Sequence, residues 1–148
     1  MKRRETREKV FNEKVKISVV RNEENVVTNI KFGVGEIHTL SIIEERIFEE
    51  RIYGDMVTEM VVEHRFILCI DERPIFSIDR GGAYASYFYE YLYDLTVVLE
   101  SAIDNNHELK FGTFNKGYFE IDHCGNLTEY FKSEYLQYPD CRVSRIGA

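Results

Sequence analysis

The chain has 148 residues, of which 44% are apolar and 30% charged, and its net charge is −7. This composition is typical of one globular domain over residues 1–148 and excludes a disordered chain. No apolar run approaches the roughly 20 residues of a membrane-spanning helix, and the basic N-terminus lacks the apolar segment of a signal peptide. We therefore expect a cytoplasmic protein with no membrane contact, in which residues 1–12 form a basic end that could be flexible.

The charges are unevenly distributed along the chain. Residues 36–72 hold ten acidic and three basic side chains, whereas the first nine residues hold five basic and two acidic ones. An acidic body disfavours nucleic acid, because phosphate binding needs clustered lysine and arginine, and it favours a protein partner with a basic surface. Solubility alone explains the same charge equally well.

The first elements of the chain show the two-residue period of strands. Val15, Ile17 and Val19 alternate with other residues and predict a strand, which ends at a polar turn over residues 22–25. Residues 26–40 predict a second strand that Gly33 and Gly35 could bend. Its apolar face would consist of Val26, Thr28, Ile30, Phe32 and Val34.

Residues 41–53 fit neither a helical nor a strand period, because their apolar pairs recur every five residues. Ser41 and Glu44 could form a capping box and Gly54 could end a helix, which favours a helix slightly. The alternative is a strand that turns through Gly54 and Asp55 into the next strand.

Residues 56–70 give the clearest strand pattern. Even-numbered positions are mostly apolar, and Glu59, Glu63 and Arg65 occupy the other face. A strand in a single register with one wet face explains this alternation, and its length predicts a bend or a bulge. We expect four side chains of this strand to be buried, namely Met60, Val62, Phe66 and Leu68.

Five tyrosines and one phenylalanine lie between Tyr84 and Tyr93. The helical period of residues 83–103 predicts a helix that Asn105 or Asn106 closes, and most of the rings belong to its buried stripe. This stripe consists of Tyr84, Phe88, Tyr91, Leu95, Val98 and Ala102. The fold class is therefore α+β, with an antiparallel sheet and this principal helix packed on it.

A second set of residues lies away from the buried stripe of this helix. Tyr89, Tyr93 and Val97 follow at intervals of four, and Glu90, Asp94 and Glu100 lie around them. Aromatic rings on an acidic, wet face are typical of a protein-binding surface. We take as the candidate partner-binding site Tyr89, Glu90, Tyr93, Asp94 and Val97. An equally weighted alternative is that a second layer, such as the N-terminal segment, covers the rings.

The rest of the chain continues as strands and turns. Leu109 and Phe111 alternate toward a hairpin turn at residues 115–117, and residues 117–125 predict another strand. Three cysteines without a CxxC spacing, Cys69, Cys124 and Cys141, indicate reduced thiols, although one disulfide remains open.

No segment carries a specific catalytic, cofactor or metal-binding motif, so we expect neither an enzyme nor a cofactor. Asp122, His123 and Cys124 combine ligand types, but successive strand residues face opposite ways. His64 is better explained as a hydrogen-bonded core histidine, and the pairs at residues 44–45 and 49–50 as a solvated acidic face. The loop charges Asp71, Arg73, Asp79 and Arg80 are better explained as ion pairs at hairpin ends.

The segments FILCIDERPIFSID, YLYDLTVVLESAI and ELKFGTFNKGYFEID occur in this order over residues 66–122. In this pattern the chain resembles small bacterial immunity proteins of toxin–immunity and contact-dependent inhibition systems, although no diagnostic motif is shared. The resemblance implies an acidic α+β domain that binds and blocks a cognate toxin. Two alternatives remain open: a phage-type inhibitor of a host defence complex, and a small-ligand-binding or enzymatic domain with a pocket between helix and sheet.

Overall fold

The fold is a seven-stranded antiparallel sheet with one helix, as seen in a computed structural model that describes residues 3–81, 89–111 and 141–145. For 89–91, 94 and 141–145 only the backbone is described. The elements in chain order are β1 (Arg3–Arg21), β2 (Val27–Phe32), β3 (Glu36–Tyr53), β4 (Met56–Ile70), β5 (Arg73–Gly81), α1 (Tyr89–Asn105), β6 (Glu108–Lys110) and β7 (Cys141–Arg145). The strand order across the sheet is β6-β2-β1-β3-β4-β5-β7, so the predicted α+β class is confirmed, with the sheet dominant.

The main core lies between α1 and one face of the sheet. Alternate residues of the strands and one stripe of the helix bury their apolar side chains against each other. They do so because each element has a single apolar side, which packing removes from water. The helix contributes Leu95, Val98, Leu99 and Ala102, and the strands contribute, among others, Ile17, Ile30, Leu40, Ile42, Phe66, Leu68, Phe76 and Ile78.

Residues 41–53 are strand, so the predicted helix is wrong. They form most of β3, which pairs with β1 from Glu36 to Glu49 and with β4 from Leu40 to Tyr53. Ser41 is buried within the sheet instead of capping a helix. Gly54, at φ +60°, begins the two-residue turn that joins Tyr53 to Met56. A glycine at the first turn position is what a type II′ hairpin requires.

The predicted strand at 56–70 is confirmed, and so is its bulge. Ile47 of β3 pairs with Glu63, but Phe48 pairs with Val61, which leaves Val62 without an opposite residue. The bulge shifts the alternation by one residue, so Met60 lies on the face opposite to Phe66. Phe66 and Leu68 are buried as expected and Val62 is half-buried, whereas the predicted burial of Met60 is wrong because its side chain is 43% exposed.

The N-terminal half differs from the sequence interpretation in two further details. Residues from Arg3 onward belong to β1 and pair with β3, so the structure does not show a flexible end over 3–12. Strand β2 ends at Phe32, and Gly33 and Gly35 form the turn into β3 instead of bending one continuous strand. Val34 is therefore exposed in that turn, contrary to its predicted place on the buried face.

The predicted helix is confirmed from Tyr89 onward, and residues 83–88 lie outside the described residues. Asn106 closes it in the left-handed conformation at φ +52°, and the next amide, that of His107, donates to the carbonyl of Ala102 at 3.0 Å. The predicted turn at 115–117 and the strand at 117–125 also lie outside the described residues.

Candidate functional site: protein-binding surfaces

The outward side of α1 carries four residues that we call the helix stripe: Tyr93, Val97, Glu100 and Asp104. Their spacing of four, three and four places them along one side of the helix, opposite the stripe that enters the core. The Tyr93 side chain is 70% exposed, Glu100 and Asp104 are also exposed, and Val97 is half-buried. The stripe thus presents one large ring beside two carboxylates.

Two of the five predicted site residues, Tyr93 and Val97, therefore lie on the outer side of the helix. The backbones of Tyr89, Glu90 and Asp94 belong to α1, but their side chains lie outside the described part of the structure. The sequence interpretation did not include Glu100 and Asp104 in the site, although the same helical period points to both.

A second exposed apolar surface lies at the end of the β3–β4 hairpin. Among the described residues, β1 pairs with β3 only as far as Glu49, and we call residues 50–59, at the end of the hairpin, the hairpin tip. Exposed large apolar side chains cluster in and next to it: Ile52, Tyr53, Met56, Val57 and Met60. The sequence interpretation missed this surface because it favoured a helix for residues 41–53. The apolar residues on both sides of the Gly54–Asp55 turn were the feature of the sequence that could have indicated this surface.

Acidic side chains surround the hairpin tip. Residues 49–60 contain four of them, Glu49, Glu50, Asp55 and Glu59, against the single basic Arg51. Arg51 bonds to Glu49 at 3.0 Å, and Arg4 of β1 bonds to Glu59 at 2.7 Å. Such exposed pairs contribute about 0–1 kcal/mol each, so they shape the local charge more than they stabilise the fold.

A polar cluster lies on the core side of the sheet. His64 Nε2 is 3.2 Å from Glu44 Oε2, and both side chains are almost fully buried. Arg46 Nε lies 3.3 Å from the other Glu44 oxygen, and the His64 and Phe66 rings are 4.7 Å apart between centroids. His64 is thus a hydrogen-bonded core residue, as predicted, whereas the predicted solvated position of Glu44 is wrong. The pair has the chemistry of a general acid–base couple, but its burial keeps it from contact with a substrate.

Two of the four charges predicted to form ion pairs at hairpin ends have described partners: Asp71 contacts a histidine, and Asp79 pairs with an arginine of the neighbouring strand. Asp71 Oδ2 lies 2.6 Å from His38 Nδ1, and the Thr39 amide donates to Asp71 Oδ1 at 2.9 Å. These hydrogen bonds, that of His38 first, lower the pKa of the Asp71 carboxyl. Asp79 accepts a 2.7 Å bond from Arg65. Arg80 is a buried residue of β5.

Arg65 is the centre of an ion-pair network on the sheet face opposite to Phe66. Besides Asp79, it lies 3.3 Å from Glu63 and 4.0 Å from Glu45. Partial burial acts to lower the pKa of Arg65, but Asp79 and the two glutamates outweigh it and raise that pKa. The network holds β3, β4 and β5 in register and offers no open cationic site.

Within residues 3–81, 89–111 and 141–145, no three histidine, cysteine, aspartate or glutamate side chains are grouped to hold a metal ion. Asp122, His123 and Cys124 lie outside that part of the chain. Cys69 is a free thiol, and burial raises its pKa. In the same described residues, no helix is both long and apolar enough to cross a membrane.

Comparisons with known proteins add no relative. No protein-family model matches the chain, and neither the curated proteins nor the solved structures give a significant match.

Proposed function

We propose that this protein is a non-catalytic protein-binding module, and specifically an immunity protein that neutralises a cognate toxin by direct binding in the cytoplasm. The observation that carries the proposal is the exposure of Tyr93 on a helix whose opposite side is in the core. A tyrosine brings a large contact area at a small loss of side-chain entropy, and such residues dominate the energetics of many interfaces.

The charge of the surface indicates the chemistry of the partner. Glu100 and Asp104 accompany Tyr93 on the helix stripe, and the whole chain carries −7. A basic partner surface would complement these carboxylates and would be steered toward them over a distance of about 10 Å, the screening length at moderate salt. We propose that the partner-binding site comprises Tyr89, Glu90, Tyr93, Asp94 and Val97, and that Glu100 and Asp104 extend it.

In the first step of the test, the tagged full chain captures its partner from the native host, and the captured protein is identified. The dissociation constant is then measured for the wild type, for Tyr93→Ala, and for the control Ile37→Ala, which removes an equally exposed apolar side chain on β3. We expect Tyr93→Ala to keep the unfolding midpoint and to weaken binding at least about fivefold, or ~1 kcal/mol. The control should bind like the wild type.

Two further measurements separate inhibition from mere association. The association rate should fall as salt rises, because screening removes the steering. The activity of the captured partner should fall when the protein is added in stoichiometric amount. If Tyr93→Ala unfolds the domain while binding per folded molecule is unchanged, Tyr93 is a structural residue and the interface lies elsewhere.

A further inference from the structure

One face of the sheet carries a row of lysines, although the protein is acidic overall. Along β1, the buried core residues Val15 and Ile17 alternate with the exposed residues Lys14 and Lys16. Successive strand residues face opposite sides of a sheet, so these two lysines point away from the core and from α1. The face they occupy is therefore separate from the one on which the helix packs.

Two further strands continue this row on the same face. Lys31 of β2 lies opposite Ser18 of β1, and Lys110 of β6 lies opposite Asn29 of β2. Both lysines are exposed, and the residue before each of them is buried in the core. We call the four residues Lys14, Lys16, Lys31 and Lys110 the lysine ladder.

The lysine ladder runs diagonally across three strands with a regular spacing. Lys14 and Lys16 are two residues apart on one strand, which separates them by about 7 Å. Lys31 is a diagonal neighbour of Lys16, and Lys110 is a diagonal neighbour of Lys31, and such neighbours are about 7–8 Å apart. Alternate side chains of an extended chain also stand about 7 Å apart. The ladder therefore matches an extended segment that has an acidic residue at every second position.

The amines of the lysine ladder are not neutralised by neighbouring carboxylates. Within the described part of the chain, none of the four amines is in an ion pair, whereas Lys9, also on β1, lies 2.8 Å from Glu72. Glu108 pairs in register with Lys31, but its carboxylate accepts a 2.9 Å bond from the Asn29 amide group. The four lysines and Glu108 together have a net charge of +3. This surface is thus locally basic.

We propose that the lysine ladder binds an extended acidic segment of a partner protein, which lies across β1, β2 and β6 with its carboxylates on the four amines. The ladder and the helix stripe have opposite charge and share no residue. They also belong to opposite sides of the molecule, because the ladder faces away from α1. The proposal is therefore independent of the proposed function.

The size of the charged surface favours a short protein segment over a larger polyanion. A nucleic-acid duplex or an anionic bilayer extends well beyond the ladder and would meet the charge of the whole chain, which is −7. A short segment meets chiefly the local charge of +3, since salt screens exposed charges beyond about 10 Å. Two copies of this chain, each with the same excess of negative charge, would repel each other.

The neighbours of the ladder also favour a protein segment over single-stranded nucleic acid. Ile37 pairs in register with Lys16, and its side chain is 71% exposed, so it offers apolar contact to a bound side chain. No aromatic ring stands opposite a ladder residue on which a base could stack. The residues that pair with the ladder are Thr39, Ile37, Ser18, Glu108 and Asn29.

The experiment uses the isotope-labelled full chain and two synthetic peptides of equal composition and charge. In the alternate peptide, GETEVETEG, all four carboxylates of an extended chain face one side. In the clustered peptide, GTEEEEVTG, only two of the four can do so. We expect the alternate peptide to shift the amide resonances of residues 14–18, 29–31 and 108–110, with a Kd on the order of 1 mM at low salt, because exposed ion pairs are individually weak. The clustered peptide should bind at least about fivefold more weakly, and binding of both should weaken as salt rises.

Charge-reversal variants provide the control. Lys16→Glu and Lys31→Glu each change a ladder residue, whereas Arg73→Glu makes the same change of charge at an exposed position of β5. Each ladder variant should keep the unfolding midpoint and bind the alternate peptide at least about fivefold more weakly. Arg73→Glu and Tyr93→Ala should bind it like the wild type.

Each of the following results would overturn the proposal. Equal binding of the two peptides, or equal effects of Lys16→Glu and Arg73→Glu, would show that the spacing and position of the lysines do not matter. Tighter binding of a single-stranded oligonucleotide or of anionic phospholipid vesicles would assign the ladder to another ligand. Slow acetylation of the ladder amines without peptide, relative to Lys9, would show that they are already covered.

Discussion

Replacement of Phe66 by alanine should remove a large share of the stability of this domain. The Phe66 side chain is 0% exposed, pairs in register with Glu44 and Ile78 on the neighbouring strands, and lies against the His64 ring. A buried phenylalanine truncated to alanine costs about 3–5 kcal/mol, since the transfer free energy is lost and a cavity remains. Domains of this size are stable by about 5–15 kcal/mol in total. The variant should therefore unfold about 6–20 °C earlier, at roughly 2–4 °C per kcal/mol.

The chain has no tryptophan, so urea unfolding is best followed by far-ultraviolet circular dichroism. Met60→Ala is the matched control, because Met60 lies on the same strand but beyond the bulge and is partly exposed. We expect it to cost less than about 1 kcal/mol, as surface substitutions usually do. A Phe66→Ala protein that unfolds cooperatively at the wild-type midpoint, or no earlier than Met60→Ala, would refute the core assignment.

Three further changes test other parts of the fold. Glu44→Ala removes the carboxylate that contacts His64 Nε2 and Arg46, and it should lower the free energy of unfolding in urea by about 3–5 kcal/mol. A decrease of less than about 1 kcal/mol would show that the buried pair is not needed for stability. The pKa of Asp71 is lower in the folded state, so its contribution to stability is present above the ordinary value of 3.8 and is lost as pH falls through the folded-state pKa. Asp71→Asn should therefore weaken the loss of stability at acid pH. An unchanged loss of stability at acid pH would contradict the assignment. Gly54→Ala should cost about 1–2 kcal/mol for the φ of +60° alone, whereas Gly35→Ala should cost more because its new Cβ would meet the Ile17 carbonyl oxygen at 2.3 Å; equal thermal midpoints for the two would argue against this close approach.

The candidate surfaces differ in how far the sequence could predict them. The outward position of Tyr93 follows from the helical period alone, since the core stripe of α1 includes Leu95, Val98 and Leu99. The hairpin tip could not be read in the same way. Ile52 and Val57 look like core residues by type, and only the structure shows that they are exposed at the end of the β3–β4 hairpin.

The buried Glu44–His64 pair shows a similar limit. The period of β4 placed His64 on the apolar face, which correctly predicted a core histidine. The sequence gives no sign that Glu44 is its partner, because the two residues are brought together by the pairing of β3 with β4. Glutamate is rarely buried without a partner, so its type alone indicated solvent.

By itself, the sequence determined the elements whose burial is uniform along their length. It located β4, the apolar side of α1 and a helix end at Asn105 or Asn106, because a constant environment produces a constant period. The tertiary structure decided β3 and the exposure of Met60. Strand β3 runs from the buried part of the sheet to the solvated hairpin tip, so the apolar period of its residues cannot stay constant. The bulge at Val62 shifts the alternation of side chains along β4 by one residue. Both features depend on how β3 and β4 pair with each other, which the local pattern of either strand does not reveal.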